Sequence, residues 1–359
     1  MSDAMPYELV DQGSYKSVDK GRRLLDQIYQ KFPHDPKGVS STMAKLLQGL
    51  HEIRREMSKD RWQFFCKEVV PKHELATLIH QDPFTLHSAQ KPRGYAGDAQ
   101  LLDYIYGHRP PQTTAIGKHI FAFTTNTPAS RAVRTRADRI AGIIDRIARQ
   151  RPYMRILSIA CGHLREAEIS EAVQEGKVAE YVAFDQDKDS LAHVLERFSN
   201  KNVVTLHGSI GDLLLGKHKN LGGFDFVYAA GLYDYLSQAV ATRLTTWMFN
   251  ATRSGGVTLL TNFLPDIVGA GYMEAFMAWD LIFRNREELI DTARKIPSDQ
   301  IAEKRVYVEE DERVVFVELS KAKQPQPLVD TPYQSNPMQQ NVPVGTKRVN
   351  GNGRTISHR

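Results

Sequence analysis

From residue 154 to residue 263 the chain repeats one pattern: a short, nearly unbroken apolar run, a turn, and then an amphipathic stretch. RILSIA, YVAFD, NVVTLHG, FDFVYAAG and GGVTLLTNF are the apolar runs, and LREAEISEAVQEG, DSLAHVLERF and residues 238–252 lie between them with helical spacing. Runs without polar alternation belong to strands buried on both faces, and strands alternating with helices dictate a parallel sheet covered on both sides. An apolar, helical stretch over 272–294 and two further runs, KRVYVEE and RVVFVELSK, complete the series. The short acidic turn between those runs makes them a closing hairpin. The fold class is therefore α/β.

The N-terminal part has a different rhythm. Leu24, Leu25, Ile28 and Tyr29 share helical spacing, as do Met43, Leu46, Leu47, Leu50 and Ile53. RWQFFCKEVV continues as an amphipathic helix that Pro71 limits, and the turn-rich segment QDPFTLHSAQKPRGYAGDAQ reads as a loop. A new helix begins at Thr127-Pro128, with threonine as cap and proline in the first turn. Beyond Lys323 the composition turns to Pro, Gln, Asn and Gly, which predicts disorder. The division expected is a helical N-terminal domain over 1–127, an α/β domain over 128–322 and a disordered tail over 323–359.

Composition closes off other classes. Hydrophobic residues make up 41% and charged residues 25% of the 359, enough for a sizeable core. No apolar run approaches the ~20 residues of a membrane span. The polar, acidic start does not read as a secretory signal. Cys66 and Cys161 are too few for a disulfide framework, so a reducing cytoplasm is expected. The formal charge is +5, but the tail carries five cations against Asp330 alone, which leaves the body at +1. A nearly neutral body argues against a nucleic-acid partner. There is no H-E-x-x-H, no C-x-x-C and no G-x-S-x-G, so neither a metal nor a serine nucleophile is expected.

The chemistry-bearing residues gather at strand ends. SIACGHLREAE takes a strand through a glycine turn into a helix, a geometry in which a ligand approaches the backbone and meets free N–H groups. Ala160, Gly162 and Leu164 hold the positions of a G-x-G-x-G. Asp185 closes the second strand about twenty residues on, where a carboxylate can accept both hydroxyls of a ribose; it could equally cap the next helix, as could Asp187 or Asp189. Ser209, Ile210 and Asp212 follow the third strand and could frame an adenine. The fourth strand runs into AAGLYDYL.

This set resembles the class I S-adenosylmethionine-dependent methyltransferases over about residues 128–320. The resemblance implies a Rossmann-like, seven-stranded sheet with one antiparallel strand and S-adenosyl-L-methionine as cofactor. It matches Ala160, Cys161, Gly162 and His163 to the loop under the methionine moiety and Asp185 to the ribose acid. Ser209 and Ile210 match the adenine edge, and the stretch from Tyr228 through Ala230 to Gly231 matches the segment facing the sulfonium. The sequence departs from the family pattern at Ser158, where an acid is usual, and at Leu164, where a third glycine is usual. A dehydrogenase also uses a glycine turn and a strand-end acid, but the glycine pattern and the closing hairpin favour methyl transfer. The fourth strand lacks the Asn/Asp-Pro-Pro-Tyr signature of nucleic-acid amino methylation.

More narrowly, KPRGYAGDAQLLDYIYG, PASRAVRTR, ILSIACGHLREAE, GLYDYL and GYMEAFMAWDLIFR together resemble a bacterial subfamily with a helical N-terminal extension, one group of which makes 3-hydroxypalmitic acid methyl ester. That implies a small-molecule acceptor, methylated at an oxygen, with a fatty-acid carboxyl as its suggestion. A secondary-metabolite O- or N-methyltransferase and a noncatalytic cofactor-binding regulator stay open, as does a homodimer. Arg93, Tyr95 and Asp98 lie in a loop with Gly94 and Gly97 that could cover the cofactor and meet the acceptor; alternatively Arg93 and Asp98 simply pair. Tyr233, Asp234 and Tyr235 could orient the acceptor, or Tyr233 could begin the next helix's core face. His163 is a base or a solvent-facing loop histidine. Arg134 and Arg136 read as a solvated helix face before a carboxylate clamp. Tyr272, Phe276, Trp279 and Phe283 recur at helical spacing as core, part of it lining an acyl or aromatic pocket.

Overall fold

A computed structural model describes residues 12–32, 36–308 and 313–323, and the predicted disordered tail lies outside them apart from Lys323. The described residues belong to one compact unit. Seven strands form a single sheet: β1 (Met154–Ile159), β2 (Val178–Asp185), β3 (Val203–His207), β4 (Phe224–Ala229), β5 (Thr252–Phe263), β6 (Ile301–Val308) and β7 (Val314–Lys321). Their order is β3-β2-β1-β4-β5-β7-β6. The first five are mutually parallel, β7 runs antiparallel to both its neighbours, and the expected closing hairpin is β6–β7. This is the α/β, Rossmann-like, seven-stranded arrangement with one antiparallel strand that the resemblance implied.

The pleat sorts side chains to two faces. Ile156, Tyr181, Phe226, Tyr228, Leu259 and Phe316 point to one face, where they merge with the helical N-terminal segments into one core. Leu157, Ile159, Val182, Val227, Leu260 and Val315 point to the other, against helix Gln238–Ala251. The helix Pro128–Gln150 starts as the sequence requires: the Thr127 side chain accepts from Ser130 N, and Pro128 occupies the first turn. It lies on the first face and packs Ile140, Ile144 and Ile147 there.

Four expectations are corrected. The segment QDPFTLHSAQKPRGYAGDAQ, read as a loop, holds helix Pro83–Gln90, which Asp82 caps through Phe84 N and Thr85 N. RWQFFCKEVV is a short α-helix, Lys59–Phe64, that widens into a π-helical turn, Phe65–Val69, and tightens to a 3-10 turn containing Pro71. LREAEISEAVQEG breaks in two at Ser170, whose side chain caps the second piece. The 272–294 stretch is not one helix. Helix Ala270–Phe276 ends, Ala278 turns left-handed at φ 47°, and helical structure resumes only at Arg286–Asp291. Tyr272 and Phe276 therefore share a helix, but Trp279 and Phe283 do not belong to it. No helix among the described residues is long and apolar enough to cross a membrane.

Candidate active site

The carboxyl ends of β1, β2 and β4 open into a cavity of about 280 Å³. Its floor is the β1 turn. Ala160, Gly162 and Leu164 all adopt left-handed backbone, with φ of 54°, 53° and 55°. The three positions behave alike although only one holds glycine. Leu164 tolerates the strain because its side chain is fully buried, and that burial outweighs roughly 1–2 kcal/mol of backbone cost. The turn is tied to β2: Gly162 N donates to Asp185 Oδ2 at 2.8 Å, and Asp187 N donates to Asp185 Oδ1 at 2.9 Å. Burial raises the Asp185 pKa against those two bonds. A carboxylate offers about four lone-pair sites, so two remain for a ligand. The cap of the following helix is Asp187, not Asp185.

Phe184, Gln186, Gly208 and Ile210 line the end beside β2 and β3. Ser209 does not: it forms a capping box with Asp212 on the Ile210–Leu214 helix. Asp212, drawn to Ser209 and Lys217, does not line the cavity either. Past β4, Ala230 and Gly231 line the cavity, whereas the Tyr228 ring is buried beneath it. Its hydroxyl donates to Glu166 and meets the Tyr181 hydroxyl. Glu166 lines the cavity with its carboxyl pushed upward by burial. It was not singled out from sequence, and its place in an ordinary acidic helix start gave no signal.

The YDY segment splits by direction. The Tyr233 ring turns away into the opposite core, where its hydroxyl meets Thr245 at 2.8 Å, so the catalytic expectation for Tyr233 gives way to the core reading. Asp234 lines the cavity. Its Oδ1 accepts from Asn262 Nδ2 and Phe263 N, both at 2.8 Å. Burial pushes this carboxyl up to about 6, against those bonds and the nearby Arg136 and Arg284 charges. Tyr235 also lines the cavity, its hydroxyl accepting from Trp279 Nε1 at 2.7 Å. Tyr272 and Phe276 do not reach this space: Tyr272 lines a smaller apolar chamber next door, and Phe276 is core.

The loop expected to cover the site does so through Tyr95 and Gly97, but not through Arg93 or Asp98. Arg93 does not pair with Asp98. Its Nη1 donates to Asp187 Oδ2 at 2.6 Å and to Ser190 Oγ at 3.0 Å, fastening the loop to the start of the next helix. Asp98 is fully buried, caps helix Ala99–Ile105 through Leu101 N, and takes a bond from His87 Nε2 at 2.8 Å. These contacts leave both side chains holding the roof rather than facing the ligand space. Gly97 is there for clearance: a Cβ would lie 2.5 Å from Trp279 Cζ2 and from Tyr235 Oη.

His163 lines the cavity and is 6% exposed, so it is not a solvent-facing loop residue. Its Nδ1 donates to Asp103 Oδ2 at 2.9 Å, and its ring stacks on His193 at 4.1 Å. Nε2 is buried without a partner, and in a neutral ring it would be an acceptor. Arg165 also binds Asp103. Cys161 lines the cavity, the pKa of its thiol raised by burial. The two candidate arginines also separate. Arg134 is spent on the carbonyls of Ile105 and Thr125, but Arg136 is buried and lines the cavity. The sequence signal for it was present: residue 136 falls on the buried stripe of its helix. Among the described residues no group of three or more His, Cys, Asp or Glu could hold a metal ion.

No family model matches the chain, and no curated protein matches it. Solved structures do. A possible exported protein from Bordetella parapertussis is 16% identical, with 77% of this chain and 95% of that chain covered and a TM-score of 0.54. A magnesium protoporphyrin IX methyltransferase from Synechocystis PCC 6803 is 11% identical over 61% and 92%, at 0.43. The N-methyltransferase NodS from Bradyrhizobium japonicum WM9 is 12% identical over 55% and 89%, at 0.38. The first similarity shows the fold.

Proposed function

We propose that this chain is an S-adenosyl-L-methionine-dependent methyltransferase that methylates a small molecule at an oxygen, with a carboxyl group as acceptor. The observation that carries this reading is the joined pair of Asp185 and the left-handed 160–164 turn, set at the carboxyl edge of a parallel sheet over a single cavity. Asp185 would hold the ribose hydroxyls on its two spare lone-pair sites. Phe184, Gly208 and Ile210 would flank the adenine, and the turn's backbone would carry the methionine arm. When bound, the donor supplies a methyl on a positively charged sulfur: an acceptor oxygen's lone pair makes the C–O bond as the C–S pair returns to sulfur.

The rest of the work is positioning, which can supply ~7–11 kcal/mol of barrier lowering. Trp279, Tyr235 and Phe263 wall the space where the acceptor would lie. A carboxylate acceptor is already anionic and needs no base, only something to hold it. A hydroxyl acceptor would give its proton to Asp234 or to His163 Nε2. Residues 1–127 serve as the cap, lowering Tyr95 and helix Ala99–Ile105 over the 128–322 part, and they exclude water from the transfer.

Calorimetry with S-adenosylhomocysteine tests the donor site: one molecule per chain is expected to bind, and Asp185→Ala to weaken it at least ~10-fold. A small-molecule extract supplied with labelled donor should then yield a product heavier by one methyl. A folded protein that ignores both the donor and its demethylated form would refute the reading.

A further inference from the structure

Helix Pro128–Gln150 buries one stripe: Ala132, Val133, Ala137, Ile140, Ile143, Ile144 and Ile147. Arg136 lies within it and is 6% exposed. Its guanidinium carries a permanent charge, and taking such a group out of water costs several kcal/mol unless an anion faces it. No described residue makes a hydrogen bond or salt bridge with it. Asp234 and Glu166 share the cavity and feel the Arg136 charge, but neither bonds to it: Asp234 Oδ1 accepts from Asn262 and Phe263, and Glu166 Oε1 from Tyr228. Space has been left for the guanidinium instead. At Gly231, where φ is 76°, a Cβ would stand 3.1 Å from both Arg136 Nη1 and Nη2. A guanidinium fork with no hydrogen-bonded partner in a cavity matches a planar, two-oxygen anion.

We propose that Arg136 anchors a carboxylate in this cavity, and that this carboxylate belongs to the acceptor. The inference rests on the donor reading above, and the donor has a carboxylate of its own. The surroundings favour the acceptor. Val133, Phe263 and Trp279 wall the main cavity and also a second, apolar chamber of about 30 Å³ that Phe84, Met273 and Met277 complete. An apolar wall of Val133, Phe263 and Trp279 suits an acid with a compact hydrocarbon body and offers nothing to an amino-acid arm. The acceptor class is then a small monocarboxylic acid, whose carboxylate oxygen takes the methyl.

Arg136→Leu and Arg136→Lys, in the full chain, test this. A structural arginine would be missed by the fold. An unpaired one would not, so Arg136→Leu should melt no lower than the parent. Hexanoate and benzoate, each against its primary amide, are titrated calorimetrically with and without S-adenosylhomocysteine. The parent should prefer each acid by about 30-fold or more, Arg136→Leu should lose the preference, and Arg136→Lys should keep part of it. S-adenosylhomocysteine affinity should stay within about threefold in Arg136→Leu. No acid preference in the parent, or a preference that survives Arg136→Leu, overturns the proposal. So does a large loss of S-adenosylhomocysteine affinity in Arg136→Leu with 5′-methylthioadenosine, which lacks the amino-acid arm, unaffected: the carboxylate held is then the donor's. Failure of S-adenosylhomocysteine to bind the parent at all would be seen separately, and would sink the methyltransferase reading while the acid titrations still report on Arg136.

Discussion

Leu164 and Asp234 each sit in a state their side chains resist, and each can be interrogated alone. Leu164 is left-handed and fully buried. Leu164→Gly would relieve roughly 1–2 kcal/mol of backbone strain but forfeit a buried leucine, worth ~2–5 kcal/mol once the cavity is counted. The variant is therefore expected to lose about 1–3 kcal/mol in urea denaturation at unchanged m; a more stable variant would mean that backbone strain dominates this turn. Burial pushes the Asp234 carboxyl up to about 6, well above the usual carboxylate range. The folded state binds its proton more tightly than the unfolded state, so this group's contribution is fully present below pH 4 and is lost as pH rises through 6. Above that it costs roughly 2–3 kcal/mol. Asp234→Asn keeps a carbonyl for Asn262 and Phe263 and has nothing to ionise. Its melting temperature relative to the parent should accordingly climb between pH 5 and 7.5, and a gap that stays flat across that range would exclude ionisation of Asp234 as the cause.

Among the elements, the roof over the cavity is where small changes should show. The Arg93 bonds to Asp187 and Ser190 are half-buried, so Arg93→Ala is expected to cost no more than about 1 kcal/mol of stability. It should nonetheless speed amide exchange over 91–98, because local opening is governed by the contacts of that segment alone. Unchanged exchange would mean that Tyr95 and Gly97 hold the loop unaided. The same segment marks how far the sequence reached. Strands and their carboxyl ends were legible because a sheet covered on both faces forces unbroken apolar runs. Loop partners were not: Arg93 sits five residues from Asp98, but it is bonded to Asp187, 94 residues away. The 272–294 stretch misled for another reason. Trp279 and Phe283 keep a helical interval by accident, while their chain is held by long-range bonds such as Ile282 N to Asp234 O and Arg284 N to Phe263 O. Arg136 was the reverse case. Its spacing announced a buried position, and only the habit of placing arginine in water concealed it.

For the molecule as a whole, the question is whether the helical N-terminal part and the sheet are two structures or one. The core answers physically. Leu25, Met43, Leu50 and Phe65 belong to the same packed cluster as Ile156, Phe226 and Phe316 of the sheet. Across that junction Arg54 binds Glu274 through two bonds, at 2.7 and 2.9 Å, and Gly271 brings its helix against the Leu50 backbone, where a Cβ would come within 2.9 Å. A continuous apolar core should melt as a unit. Two single-tryptophan variants report this directly: one keeps only Trp62, in the N-terminal part, and the other only Trp247, on the far side of the sheet. Their urea transitions are expected to coincide in midpoint and slope. If Trp62 instead reports an earlier transition, the cap folds on its own account, and opening of the cavity becomes a subglobal unfolding event rather than a movement of the roof loop.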